Sequence, residues 1–256
     1  MSTERIIRNQ AREKLSGNFV LATAGLLTVF ALLILILFSQ ETILTIFNVW
    51  DENGVAKEGT ELLVSLASLL AVTALIALSP VKNGFLRLCF LFANGKEANY
   101  NDLFFYFKKG YFLKTVGFNL ILALKKLVKA FLCFLPCIVS SYFTYTLKSL
   151  VVLGIISFLL FLFGLTLFII LILKYFISEF IYIDDSNTDF TTIFAVTNHI
   201  IKRHRGDVYM LWCSFLPWLG LCFFVLPALY VFPYALTASA VSAKWLLTIY
   251  KDGRMI

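Results

Sequence analysis

The residues best suited to chemistry in this chain are few and mostly basic. His199 and His204 stand with Asn198, Lys202, Arg203 and Arg205 on a segment whose Phe190, Ile193, Phe194, Thr197, Ile200 and Ile201 recur at i, i+3, i+4 and i+7. That spacing predicts an amphipathic helix over 189–205, with Thr188 or Asp189 placed to cap it and Gly206 to stop it. Two histidines five residues apart on a helix point to different sides, which disfavours a shared metal. A lipid phosphate or an anionic substrate suits the basic residues, since ammonium and guanidinium groups donate charge-assisted hydrogen bonds to such oxygens. The plainer reading is a helix lying flat on the membrane interface, its basic residues turned to the headgroups.

A second basic group lies at Lys125, Lys126 and Lys129, inside an otherwise apolar stretch. Leaving ammonium groups in hydrocarbon costs about 2.5–3.5 kcal/mol each on insertion scales. Either these lysines snorkel from the cytoplasmic end of a long third helix, or they line a polar cavity between helices. The candidate polar cluster is therefore Arg12, Lys125, Lys129, Lys202, His204 and Arg205. Glu179, Asp184, Asp185 and Asp189 read as a short solvated acidic run. The five cysteines fall in or beside apolar segments and read as small hydrophobes, with no C-x-x-C pair. No H-E-x-x-H, Gly-rich phosphate loop or G-x-S-x-G is present, so no catalytic residue, cofactor or metal site is expected.

The elements that carry these residues are membrane helices. Between Lys148 and Lys174 run twenty-five uncharged residues, about 37 Å of helix against a hydrocarbon core of about 30 Å. The whole chain is 60% hydrophobic and 14% charged, with a mean hydropathy of +0.87, whereas a soluble domain is about 45–50% apolar and about 25% charged. Its 27 Phe and long uninterrupted runs exclude the ten-residue alternation of an outer-membrane barrel. The expected fold is all-α: one integral membrane domain over 1–256, with six transmembrane helices at about 19–38, 62–79, 127–147, 150–173, 208–232 and 234–250. Pro80 is expected to end the second span, and Pro217 and Pro227 to interrupt the fifth, with Pro233 opening the sixth. Asn101 and Asp102 predict a second short interfacial helix with an aromatic face and a basic end at Lys108 and Lys109.

Charge orients these spans, because Lys and Arg are retained in the cytoplasm. Seventeen fall on the side of both termini, and only Lys57 and Lys148 on the other, beside an acidic loop of Glu41, Asp51, Glu52, Glu58 and Glu61. Both termini are expected in the cytoplasm, the first span serving as a retained signal anchor. The net charge of +7 is met by anionic headgroups at the cytoplasmic face and calls for no nucleic acid.

The string Arg8-Asn9-Gln10-Ala11-Arg12-Glu13-Lys14-Leu15-Ser16-Gly17-Asn18 resembles the R-x-x-A-R-x-x-L-x-G-N opening of domain-of-unknown-function family nine-seven-five, uncharacterised integral membrane proteins of bacteria. Thr197 to Arg205 is similar to that family's S-R-x-L-M-K-G-H-R, Ser214-Phe215-Leu216-Pro217-Trp218 to its L-S-F-I-x-W, and Pro233-Tyr234 to its P-Y. Arg203 stands where the family has Gly, Pro217 interrupts its string, and Cys137 follows Pro136 where Gly is common. The resemblance implies six helices in a bacterial cytoplasmic membrane and carries no activity with it.

Two functions are open to such a chain. One is a non-enzymatic accessory, scaffold or immunity-type component, acting through membrane lipids and a protein partner in the membrane. The other is a small transporter or permease for an anionic or lipid-like substrate. A lipid-modifying enzyme would need at least two convergent titratable groups. At Arg12, a bidentate guanidinium contact to an acidic or carbonyl partner on the cytoplasmic face, near Asp184, Asp185 or Asp207, is the expectation, with simple lipid contact as the alternative.

Overall fold

The computed structural model describes residues 3–51, 56–147, 150–222 and 225–253. These are helical throughout, with no strand among them: α1 (Thr3–Ser16), α2 (Phe19–Ile46), α3 (Glu61–Asn94), a 3₁₀ segment (Tyr100–Phe107), α4 (Phe112–Leu147), α5 (Leu150–Leu173), α6 (Tyr175–Asp184), α7 (Phe190–Leu221) and α8 (Val225–Lys251). Glu52, Lys148 and Arg254, which enter the charge count, lie outside the described residues.

Three helical stretches are long and apolar enough to cross a membrane: Phe19–Ile46, Glu61–Asn94 and Gly154–Asp184. Their surfaces fit that solvent, since Phe38 and Phe163 are 71% and 62% exposed. An aqueous fold would bury such side chains for about 1.5–3 kcal/mol each. α5 has the bounds its uncharged run predicts, because nothing within it offers a helix an alternative to lipid.

Several expected boundaries move, and proline accounts for most of the shifts. α3 does not end at Pro80 but runs on to Asn94, where Gly95 closes it at φ 66°. At 34 residues it is about 51 Å long. Pro80 removes one backbone hydrogen bond and is itself buried. Pro233 likewise lies inside α8 instead of opening it, so the break between the last two long helices falls between Leu221 and Val225. Pro227 sits in the first turn of α8, where the backbone N–H groups have no helical partner to lose. The helix from Phe190 ends at His204 (φ −115°, ψ 27°), close to the expected stop at Gly206, and a second helical stretch runs on from there to Leu221.

The chain forms two compact units, 1–117 with 217–244 and 118–216 with 245–256. In the first, α2 packs along α3, and the second half of α3 buries Phe85, Leu88, Cys89 and Phe92. The 3₁₀ segment lies so close to α3 that a Cβ at Gly84 would collide with the Leu103 carbonyl. Its cap is Asn99, not Asn101, with the Asn99 N–H donating to Asp102 Oδ2 at 2.9 Å. Leu103 and Tyr106 are fully buried, so the segment is part of the core. Arg87 joins it, with Nε 3.7 Å from Asp102 Oδ1 and its guanidinium 3.8 Å over the Phe105 ring. α1, which the hydropathy pattern does not single out, buries Ile7, Ala11 and Leu15 at a spacing of four, and the Tyr234 hydroxyl donates to the Arg8 carbonyl at 3.3 Å.

In the second unit, α4 and α5 approach closely enough that a Cβ on Gly164 would lie 2.6 Å from the Cys133 carbonyl oxygen. Ser140 and Ser157 bridge the pair through their hydroxyls at 2.8 Å.

Candidate functional site: a lysine and aromatic cluster

The second unit gathers three helices around a run of aromatic rings. Phe118 of α4 stacks on Tyr182 of α6 with centroids 4.5 Å apart and planes 10° from parallel. Phe194 of α7 lies 6.1 Å from Phe118 and meets Tyr175 edge-on at 6.4 Å. The apolar stripe of Phe190, Ile193, Phe194, Ile200 and Ile201, expected to face lipid, therefore packs on protein, with Ile193 and Ile200 fully buried.

Onto this aromatic floor α4 brings its three lysines. Lys125 Nζ sits 3.4 Å over the Phe194 ring and Lys129 Nζ 4.4 Å over Tyr175, each pairing worth about 0.5–2 kcal/mol. Lys126, on the adjacent side of the turn, pairs with Glu179 Oε1 at 3.2 Å. Protein groups meet all three, and each stays partly exposed. Glu179, expected in a solvated acidic loop, is buried on α6.

Lys174 completes the cluster from the turn between α5 and α6. Its Nζ donates to Asn198 Oδ1 at 3.0 Å and lies 5.3 Å from the Tyr175 ring centre. Lys129 and Lys174 thus share the Tyr175 ring, at 4.4 and 5.3 Å from its centre. Lys125, which precedes the expected third span, is held below the usual lysine range, first by desolvation and then by the charge of Lys174.

Of the residues singled out in sequence, the structure sets Lys125 and Lys129 over the aromatic rings of Phe194 and Tyr175, while Arg205 is exposed on α7. Lys202 is exposed on α7. His204 is turned aside, its Nδ1 3.1 Å from Asp207 Oδ2 and its ring edge-on to Trp245. Arg12 belongs to the other unit, on the exposed side of α1. Its expected carboxylate partners are otherwise engaged: Asp184 with Lys251 at 2.6 Å, Asp207 with His204, and Asp185 with the Asn187 N–H and the Thr188 hydroxyl.

The reading of the sequence missed Lys126, Lys174, Tyr175, Glu179, Phe194 and Asn198 as members of one site. A signal existed for Lys174, the first charge after twenty-five apolar residues and next to an aromatic. Among the described residues no group of three or more His, Cys, Asp or Glu is placed to hold a metal ion. Comparison with known proteins finds no matching family, no matching curated protein and no matching solved structure.

Proposed function

We propose that the chain is a six-span protein of the bacterial cytoplasmic membrane, with both termini inside, acting as an accessory, scaffold or immunity-type component and not as an enzyme. The observation that carries this reading is the apolar surface of the long helices set against the charge distribution. Besides Lys125 and Lys126, sixteen Lys and Arg lie in segments on one side of the expected spans, Lys244 lies toward the same side within the sixth, and two lie on the other, an asymmetry that orients a multi-pass chain. The terminal strings that resemble family nine-seven-five support the same architecture. Five α-helices, α2, α3, α4, α5 and α8, have 24 or more residues, where a crossing takes about 20, and the stretch of α7 from the break at His204 to Leu221 supplies the sixth. The interfaces such a component offers are its lipid-facing helices, a protein partner in the membrane and the basic cytoplasmic segments.

Single cysteines at Thr3 and Glu58 test the topology in intact cells with a membrane-impermeant maleimide. Labelling at position 58 alone is expected. Labelling at position 3 from outside, or protection at 58 until the cells are lysed, overturns it.

A second reading, a transporter for an anionic or lipid-like substrate, draws on the convergence of Lys125, Lys129 and Lys174. Uptake or flipping of an anionic lipid by reconstituted protein, lost in Lys129→Gln, is the result that favours it.

A further inference from the structure

We infer that Lys129, Lys174 and Asn198 form a binding site for a phosphate group, the phosphate of a membrane lipid or of a free phosphate compound. The inference deepens the second reading above and rests on it only for the ligand's anionic character, not for transport.

The geometry leaves a specific gap in charge. In the second unit Glu179 is committed to Lys126 at 3.2 Å. Lys125 lies over Phe194. Lys129 and Lys174 both lie over the Tyr175 ring, at 4.4 and 5.3 Å. Lys174 spends one N–H on Asn198 Oδ1, which turns the Asn198 amide so that its NH₂ remains a donor. Two ammonium groups and an amide donor thus converge beside the floor formed by Tyr175.

A phosphate suits this arrangement better than a carboxylate or a chloride. It offers three or four acceptor oxygens and up to two negative charges, enough to bridge both ammonium groups and accept from the amide. Tyr175 beneath keeps the lysine stems ordered without bringing in a competing carboxylate. Arg205 adds charge at the rim. The position at the end of the apolar run 149–173 is where a phospholipid headgroup meets a spanning helix.

Full-length protein in dodecyl maltoside, a detergent without phosphate, is the starting material. Lysine acetylation by an N-hydroxysuccinimide ester, read by peptide mass spectrometry, reports each amine in the unmutated chain. Mixed micelles with dioleoyl phosphatidylglycerol form one arm, inorganic phosphate the second, and sodium chloride at matched ionic strength the reference. Protection of Lys129 and Lys174, with Lys96 and Lys109 unaffected, is expected. Protection by the lipid alone identifies a headgroup site; protection by inorganic phosphate identifies a site for free phosphate compounds as well. Equal reactivity in all three, or equal protection of Lys96 and Lys109, overturns the inference.

Variants give the second measure, by titration of whichever ligand protects. Lys129→Gln with Lys174→Gln is expected to weaken binding by about tenfold or more, the scale of one lost charge-assisted hydrogen bond. Lys129→Arg with Lys174→Arg, which keeps both charge and stacking, should bind within a few fold of the parent. Lys96→Gln with Lys109→Gln removes the same charge elsewhere. If that pair weakens binding as much, the effect is diffuse electrostatics and the site is rejected. These measurements in detergent do not depend on the number or direction of membrane crossings, so failure of the site and failure of the topology are read separately.

Discussion

Lys126 Nζ lies 3.2 Å from Glu179 Oε1, an ion pair between α4 and α6 across fifty-three residues of sequence. The two partners differ in exposure: the lysine side chain is 31% accessible and the glutamate 10%. Removing the lysine takes the cation from a carboxylate largely shielded from water, whereas removing the carboxylate leaves an ammonium that reaches water.

The asymmetry predicts unequal costs. Lys126→Ala is expected to destabilise the protein by about 3 kcal/mol, the lower end for breaking a buried pair. Glu179→Gln should cost about 1 kcal/mol, as for a lost hydrogen bond. The double variant Lys126→Ala with Glu179→Gln should recover part of the loss. Thermal unfolding in detergent measures all three, and equal costs for the two single variants contradict the burial argument.

What the sequence made legible divides along physical lines. The bounds of α5 were readable because a long uncharged run admits one structure in lipid. The breaks were not, since a proline in a helix costs one hydrogen bond and packing decides whether the chain turns there: Pro80 is buried in an unbroken α3. α1 was hidden because its apolar face is only Ile7, Ala11 and Leu15, too narrow to stand out from a polar string. The lysines of α4 were visible, but their partners Glu179, Tyr175 and Phe194 belong to other helices, and local pattern does not carry long-range pairing.

Lys125 gives the cluster a pH dependence. Its pKa in the folded chain lies below the ordinary 10.5, through desolvation and the charge of Lys174. Between those two values the unfolded chain holds a proton that the folded chain has released, so stability rises with pH there. Below the folded value, the cost of the buried charge is fully present. Unfolding midpoints recorded in steps up to pH 10.5 should rise from this group, and Lys125→Met should flatten that part of the slope. An identical slope in the variant assigns the rise to other groups.

Gly84 of α3 faces the 3₁₀ segment and Gly25 of α2 faces α3, and they differ in what an added methyl meets. At Gly84 the obstacle is the Leu103 carbonyl, which belongs to backbone; at Gly25 it is Phe85 Cδ2 at 3.0 Å, a side-chain atom. Gly84→Ala must push the 3₁₀ segment off α3 and should cost at least about 2–3 kcal/mol, the upper range for overpacking. Gly25→Ala is expected to cost about 1 kcal/mol or less, because the ring shifts by a few tenths of an ångström. Folded yield and thermal midpoint distinguish them, and a tolerated Gly84→Ala refutes the close approach.

The neighbours Ala11 and Arg12 separate packing from charge on α1. Ala11 is fully buried and lies between Ile7 and Leu15 on the packed face, while Arg12 is exposed. The guanidinium contact expected from sequence is to an acidic or carbonyl partner, and the aspartates named for it make contacts of their own, with Lys251, with the Asn187 N–H and Thr188 hydroxyl, and with His204. Charge is then all that Arg12 supplies to the fold. Arg12→Lys should match the parent in folded yield, and Arg12→Ala should change stability by no more than about 0.5 kcal/mol, the range of ordinary surface substitutions. Ala11→Leu forces a larger side chain into a filled space and should cost about 1–3 kcal/mol. If Arg12→Lys instead loses what Arg12→Ala loses, the planar fork itself is required, and a bidentate partner for it exists in the folded protein after all.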